Sequence, residues 1–237
     1  MKKIGLLLLL PLLLTACGTS PKQIVNEAIE KLELVDTYQE KLTAKEEVKV
    51  LNKVNKRTIT WTKEKDLENQ VEKINTKVTK NKELLEQKEY YYDVKKKTMY
   101  LQDNITNEWQ KEKEKNQDLL DYSILITKDV EVEEVKTNQT GIRKYKIELS
   151  EEDMKRLFYR DINDEYISMI INQPGTVYLS VSTTTGYLTQ IDIDLSDIVD
   201  MQDPDSSCEK MKLEIKYQEY NNLDPIEIPD YVTKTAQ

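Results

Sequence analysis

The chain has 237 residues, of which 33% are charged and 38% are hydrophobic, and it contains no histidine. This composition allows a sizeable buried core. The missing imidazole excludes Ser-His and Cys-His catalysis and every histidine-ligated metal site. Residues 1–16 do not read as folded protein, so the rest forms one large domain or two small ones.

The amino-terminal segment has the layout of a secretory signal, with two lysines followed by an apolar run over residues 4–14. As a helix this run would span about 16 Å, against about 30 Å for a bilayer core, so it is too short for a lasting anchor. The sequence Leu14-Thr15-Ala16-Cys17 resembles the lipobox of bacterial lipoproteins. That resemblance implies cleavage after Ala16, a lipid thioether on Cys17 and attachment to the extracytoplasmic face of the cell membrane. The alternative is an ordinary secretory signal in which Cys17 is present by chance.

The net charge and the cysteine content limit the partners that the chain can have. Without the two signal lysines the chain keeps 33 basic and 44 acidic residues, a formal charge of −11. Such a chain is repelled by nucleic acid and by anionic headgroups, so we expect no nucleic-acid partner and a membrane attachment that depends on the lipid. Once Cys17 is a thioether, Cys208 has no disulfide partner. We expect Cys208 to be a structural or half-exposed thiol; an intermolecular disulfide or a reactive thiol is the alternative.

Three segments show helical patterns. From Pro21 to Val35, apolar residues recur at helical spacing, which predicts an amphipathic helix joined to Cys17 by the short tether 17–20. Residues 118–126 predict a short apolar helix. Ser150 resembles an N-cap followed by acidic residues, which predicts a third helix reaching Phe158 and extending toward Ile170.

Between these helices, apolar residues recur at every second position instead of at helical spacing. This alternation covers residues 38–50, 58–63, 71–80, 89–94, 98–102, 130–135, 142–149, 176–182, 187–195 and 210–220. It predicts an antiparallel sheet with one wet face, connected as a meander by turns at 94–97, 138–141 and 183–186. The tail from Asn222 contains two prolines, so it predicts an edge strand or an extended strap that frays after Val232.

Aromatic residues are the only candidates for a ligand groove. Tyrosine offers an apolar ring with a hydrogen-bonding tip, which suits a binding groove, although tyrosines also cover both faces of ordinary strands. The candidate groove-lining residues are Tyr90, Tyr92, Tyr100, Trp109, Tyr178 and Tyr187.

No catalytic, metal or cofactor residue is predicted. Asp192 and Asp194 alternate with apolar residues and read as a solvated face. The series Asp203, Asp205, Ser207 and Glu214 matches a calcium loop only in part, because Cys208 stands where that loop needs glycine. Carboxylate pairs occur by chance in so acidic a chain, so we do not expect an enzyme.

The whole layout is a lipobox, an early amphipathic helix, a long meander, the hairpin 176–193 and a closing strand and strap at 217–229. It resembles the LolA/LppX/LprG-type lipoprotein-carrier fold and uncharacterised Gram-positive lipoproteins that share it. That resemblance implies an α+β fold in which a curved antiparallel sheet, an open half-barrel, carries helices on its concave face. The expected division is a signal peptide at 1–16, a lipidated tether at 17–20, a single domain at 21–232 and a frayed tail at 233–237.

Two functions are compatible with this layout. The first is a membrane-anchored protein that binds or carries a hydrophobic, lipid-like ligand, as carrier relatives do. The second is a surface interaction or assembly module whose cavity is filled by its own side chains, with a protein partner that the sequence does not identify.

Overall fold

The computed structural model describes residues 19–102, 108–113, 120–127, 129–158, 169–201 and 204–236. The helices are α1 (Pro21–Glu30), α2 (Glu151–Leu157) and α3 (Asp230–Thr235), with 3₁₀ helices at Lys31–Glu33 and Tyr122–Ile126. The strands are β1 (Thr37–Val50), β2 (Lys53–Asp66), β3 (Val71–Lys80), β4 (Glu83–Asp93), β5 (Thr98–Gln102), β6 (Trp109–Lys113), β7 (Val132–Val135), β8 (Ile142–Leu149), β9 (Met169–Ile171), β10 (Gly175–Ser182), β11 (Leu188–Asp194), β12 (Val199–Met201) and β13 (Ser206–Gln218).

Eleven of these strands form one antiparallel sheet in the order β6-β5-β4-β3-β2-β1-β13-β11-β10-β8-β7. The first six are consecutive hairpins, and β1 then pairs with β13 near the end of the chain. The sheet is not closed, because β6 and β7 form its two edges. The predicted antiparallel meander is confirmed, and an open sheet with few helices fits a half-barrel broadly.

The strand register divides the sheet into two faces. Leu42 of β1 lies opposite Trp61 of β2 and Ile215 of β13, and Ile215 lies opposite Ile191 of β11. Directly opposed residues point to the same side, so we call the side that carries these residues the core face and the other side the solvent face. The solvent face of β1 carries Lys41 and its alternate neighbours, which explains the period-two pattern.

Helix α1 lies on the core face. Ser20 caps it by accepting a hydrogen bond from the Gln23 amide at 3.2 Å, and Pro21 occupies the first turn. Its apolar side buries Val25, Ala28 and Ile29, which join the main core beneath β7, β10 and β11. No helix in the described ranges is both long enough and apolar enough to cross a bilayer.

Helix α2 begins where the sequence predicted, because the Ser150 hydroxyl accepts from the Asp153 amide at 3.1 Å and acidic residues fill the first turn. It ends at Leu157, earlier than expected. Residues 159–168 lie outside the described part of the chain. Ile170, predicted as part of this helix, instead lies in β9, which pairs with β12 in a separate two-stranded sheet. A short apolar run fits helix and strand equally well, which explains the error.

The tail differs from the predicted frayed strap. Residues 222–229 form no helix or strand, and the chain then forms α3, in which Val232 is fully buried. Val232 packs with Tyr91, Tyr100 and Trp109 in a second core. The register places these aromatic residues on the solvent face of β4, β5 and β6. The helix forms because it covers aromatic side chains that would otherwise meet water.

Candidate functional site

The core face has two halves of different character. In the sealed half, formed by β7, β8, β10, β11 and β13, fully buried aliphatic residues such as Ile147, Leu179 and Ile191 meet α1 and its neighbours. On the core face, α1 contacts β7, β10 and β11, and α2 contacts β8. The residues of the second half, which we call the charged half, are Arg57, Ile59, Trp61, Lys63, Lys65, Glu72, Ile74, Val78, Tyr90 and Tyr92.

Two lysines share one glutamate at the centre of the charged half. The Lys65 Nζ lies 3.4 Å from Glu72 Oε1, and the Lys63 Nζ lies 4.0 Å from Glu72 Oε2. Lys63 is only 1% exposed. Its Nζ also lies 4.9 Å from the centroid of the Trp61 ring, within the range of a cation–π interaction. Ions this well buried need partners, because leaving water costs each of them several kcal/mol.

A second ion pair lies on the same face toward the β1–β2 turn. Arg57 and Glu46 are opposed in register, with Arg57 Nη1 3.9 Å from Glu46 Oε2. Burial raises the pKa of Glu46, and the Arg57 charge offsets part of that rise. Within the described ranges the other carboxylate oxygen, Glu46 Oε1, is buried without a hydrogen bond. The charged half therefore holds a carboxylate that is under-satisfied.

Tyrosines mark the border between the two halves. The hydroxyls of Tyr122 and Tyr217 are 2.5 Å apart, and Tyr217 lies opposite Glu40 of β1. Burial raises the pKa of both tyrosines well above the ordinary value, and the nearby Glu40 adds to this. Both phenols therefore stay protonated at neutral pH and act as hydrogen-bonding groups.

The six predicted groove residues do not form one groove. Tyr90 and Tyr92 lie on the charged half of the core face, opposite Ile74 and Glu72 of β3. Tyr100 and Trp109 lie on the solvent face, where they pack in the second core beneath α3. The alternating direction of strand side chains separates them, so only Tyr90 and Tyr92 of these four residues lie at the charged half.

The other two predicted groove residues lie elsewhere. Tyr178 is on the solvent face of β10, with the Lys144 Nζ 4.8 Å from its ring centroid, in a surface depression lined mostly by charged residues. Tyr187 stacks on Tyr220, with ring centroids 4.4 Å apart, near the end of α1. Both are structural contacts rather than parts of a shared groove.

The remaining candidates give no second site. Asp192 and Asp194 lie on the solvent face as predicted and pair with Lys144 and Lys212. Among the described residues no group of three potential metal ligands is found, and Asp203 lies outside them, as does Cys17. Cys208 is half-buried and forms no disulfide with a described residue, and burial raises its pKa, as expected for a structural thiol.

The sequence analysis missed the buried ions Lys63, Lys65 and Glu72. One signal for them exists in the sequence, since Ile59, Trp61, Lys63 and Lys65 share one parity on β2. Charged residues at the positions of a strand that otherwise face the core also occur where a sheet edge is exposed to solvent. The sequence pattern alone therefore does not show whether Lys63 and Lys65 are buried or exposed.

Comparisons with known proteins give a distant structural similarity. No family model matches the chain, and no curated protein matches it. Among solved structures, LprF from Mycobacterium bovis is similar with a TM-score of 0.45 and 10% identity, covering 90% of this chain and 97% of that one. A DUF1329 family protein from Desulfovibrio piger gives a TM-score of 0.25 and 9% identity, covering 85% and 92%. Scores this low carry no argument about function, and the carrier-type resemblance stays a prediction.

Proposed function

We propose that this protein is a lipid-anchored lipoprotein on the extracytoplasmic face of the cell membrane, and that it binds or carries a hydrophobic, lipid-like ligand without catalysing a reaction. The observation that carries the proposal is the division of one sheet face. Its sealed half is closed by α1, whereas its charged half combines apolar rings with buried ions.

The charged half offers two kinds of contact. Trp61, Ile74 and Tyr92 provide apolar area for an acyl chain, since ligand sites are mostly apolar with a few polar groups that fix orientation. Lys63 and Lys65 carry two positive charges beside Glu72, so they would attract an anionic or hydrogen-bonding head group. The ligand class that fits both is an amphipathic lipid.

Attachment through Cys17 is supported by the lipobox-like sequence alone. Cys17→Ser should release the protein from membranes into the medium, because two or three acyl chains hold a protein far more firmly than the apolar surface of one soluble domain. Cys208→Ser is the matched control and should leave the protein on the membrane. Equal membrane retention of wild type and Cys17→Ser would refute the anchor.

Ligand binding is tested by native mass spectrometry of the secreted protein lacking Cys17. Co-purifying lipid is expected, together with a reduced lipid fraction in Trp61→Ala. Tyr178→Ala is the control, because Tyr178 is an aromatic residue on the solvent face. An empty wild-type protein that also fails to take up a fluorescent fatty acid would refute the carrier function.

One observation favours the alternative of an interaction module. Lys63 is 1% exposed and Ile74 is 2% exposed, as in an interior filled by the chain itself. Under this alternative the mass spectrum shows protein alone, and Trp61→Ala lowers stability without any lipid to lose.

A further inference from the structure

We propose that the tip of the β1–β2 hairpin is a second membrane contact that docks into the interface of an anionic bilayer. Nine large apolar side chains are exposed in the described part of the chain, and five of them belong to two neighbouring hairpins: Val50, Leu51, Val54, Leu84 and Leu85. Apolar residues gathered at one end of a sheet indicate a docking surface more strongly than residues scattered singly.

The hairpin tip extends beyond the β3–β4 turn and lies level with the start of β13. Val50 pairs with Lys53 across a two-residue turn, and Leu51 in that turn is 69% exposed. The Leu51 amide donates to the Asp205 carbonyl at 2.9 Å, so the turn is braced from the side. Leu84 of β4 pairs with Thr79 of β3, and the pairs across β2 place it level with Lys45 of β1. Lys45 is five residues from Val50, so Leu84 lies about 17 Å farther from the proposed membrane than the tip. Leu51 should therefore penetrate deepest.

The charged residues around the hairpin tip indicate the kind of surface on which the tip docks. Residues 49–57 contain Lys49, Lys53, Lys56 and Arg57 and no acidic residue, although the whole chain carries −9. Lys49 and Lys53 are exposed beside the apolar tip, whereas Lys56 pairs with Glu47 at 2.9 Å and Asp205 adds one acidic residue next to Leu51. Lys80 and Lys82 are exposed at the turn of the next hairpin. Apolar residues ringed by basic ones suit an anionic lipid surface, where the former enter the interface and the latter meet the head groups.

The chain also enters the fold at this end of the sheet. Lys22 in the first turn of α1 donates to the Val130 carbonyl just before β7, and Lys31 at the far end donates to the Thr185 carbonyl in the opposite turn. The residue pairs can be followed from β7 through β8, β10, β11 and β13 to β1, and they place Val132, the first residue of β7, level with Ala44 of β1. Ala44 lies six residues before Val50 at the hairpin tip. Helix α1 therefore begins toward the hairpin-tip end.

The positions of the hairpin tip and of the start of α1 agree with attachment of the chain to the membrane through Cys17. This agreement rests on the proposed function, because it assumes the lipid on Cys17. The tip extends about 20 Å beyond the level of Ala44. Val130, to which the Lys22 side chain donates, lies about two residues beyond that level, and the three residues from Ser20 back to Cys17 add at most about 11 Å. A lipid on Cys17 would hold the hairpin tip against the same bilayer.

The test uses the full chain on vesicles of phosphatidylcholine mixed with phosphatidylglycerol and a quencher-labelled lipid. A genetically encoded environment-sensitive fluorescent amino acid replaces Leu51, Leu84 or, as a control, Leu34. Leu34 is 79% exposed and precedes β1 at the other end of the sheet. Quenching should be several-fold stronger at position 51 than at 34, and intermediate at 84.

A second arm uses the full chain with Cys17→Ser, which has no lipid. It should bind anionic vesicles weakly and lose this binding as salt rises from about 0.1 M to about 1 M, where the Debye length falls from about 10 Å to about 3 Å. Leu51→Ser should weaken binding about tenfold, whereas Leu34→Ser should not change it.

The outcomes separate the two proposals. Protein that floats with vesicles but shows equal quenching at 51 and 34 keeps the anchor and overturns the hairpin docking. If Cys17 carries no lipid, the second arm decides alone: vesicle binding that depends on Leu51 supports the inference, and binding that ignores Leu51, or is absent, overturns it.

Discussion

Asp66 connects three parts of the fold. It lies at the end of β2, is 2% exposed, and accepts hydrogen bonds from the Asn69 amide at 2.8 Å, the Asn69 side chain at 2.8 Å and the Ile226 amide at 2.9 Å. The first two close the β2–β3 turn. The third holds the carboxyl-terminal segment that leads to α3. Asp66→Ala should therefore loosen the turn and the tail together.

The expected loss is about 3 to 5 kcal/mol. Each Asn69 bond contributes about 1 kcal/mol, because these partly exposed groups turn to water when the carboxylate is gone. The buried Ile226 amide has no such replacement and costs about 1 to 3 kcal/mol more. Urea unfolding at neutral pH measures the change in the free energy of unfolding. Asp230→Ala, which removes an exposed pair with Lys234, is the control and should cost less than about 1 kcal/mol.

The pH dependence tests the same reasoning. Burial alone would raise the pKa of Asp66, but the hydrogen bonds from Asn69, Ile226 and Glu68 outweigh it and hold the pKa below the usual range. A depressed folded-state pKa gives stability that is complete above the unfolded value of about 3.9 and is lost as pH falls through the folded value. The difference in the free energy of unfolding between wild type and Asp66→Ala should therefore become smaller below about pH 4. A gap under about 1 kcal/mol at pH 7, or one independent of pH, would contradict the argument.

Three further predictions concern other contacts. Trp109→Ala empties the second core at a cost of about 3 kcal/mol, so hydrogen exchange should accelerate in α3 but not in α1. Tyr122→Phe removes the 2.5 Å bond to Tyr217 and should lower stability by about 1 kcal/mol, with little further loss in the double Phe variant, as a double-mutant cycle by urea unfolding would show. Because burial raises the pKa of Cys208, iodoacetamide should modify it more slowly in the folded protein than in urea, as peptide mass spectrometry would measure.

The sheet was predictable because its physical signal is local. Residues on a strand with one dry and one wet face must alternate, and Met211, Leu213, Ile215 and Tyr217 do so against polar neighbours throughout β13. Capping is local as well, which is why Ser20 and Ser150 marked the starts of α1 and α2.

The parts that could not be predicted depend on distant contacts. The pairing of β1 with β13 joins residues as far apart as Gln39 and Gln218, and nothing in either strand specifies it. The same holds for α3, whose formation depends on Tyr91, Tyr100 and Trp109 offering an apolar surface on the otherwise wet face. Residue type alone likewise could not show that Tyr90 and Tyr91 point to opposite sides of the sheet in different environments.

The buried ions argue for function rather than stability. Well-packed apolar residues in place of a buried ion pair are often neutral or stabilising, so the burial of Lys63, Lys65 and Glu72 is weak evidence for a stabilising role. Strand β2 joins them to the hairpin tip: Arg57 lies four residues from Lys53 and Lys63 ten residues, about 13 Å and about 33 Å along the strand. If both proposals hold, a lipid leaving the bilayer at the tip would meet charged groups at intervals along one strand, which places its head group on β2 and its chains toward Ile74 and Tyr92.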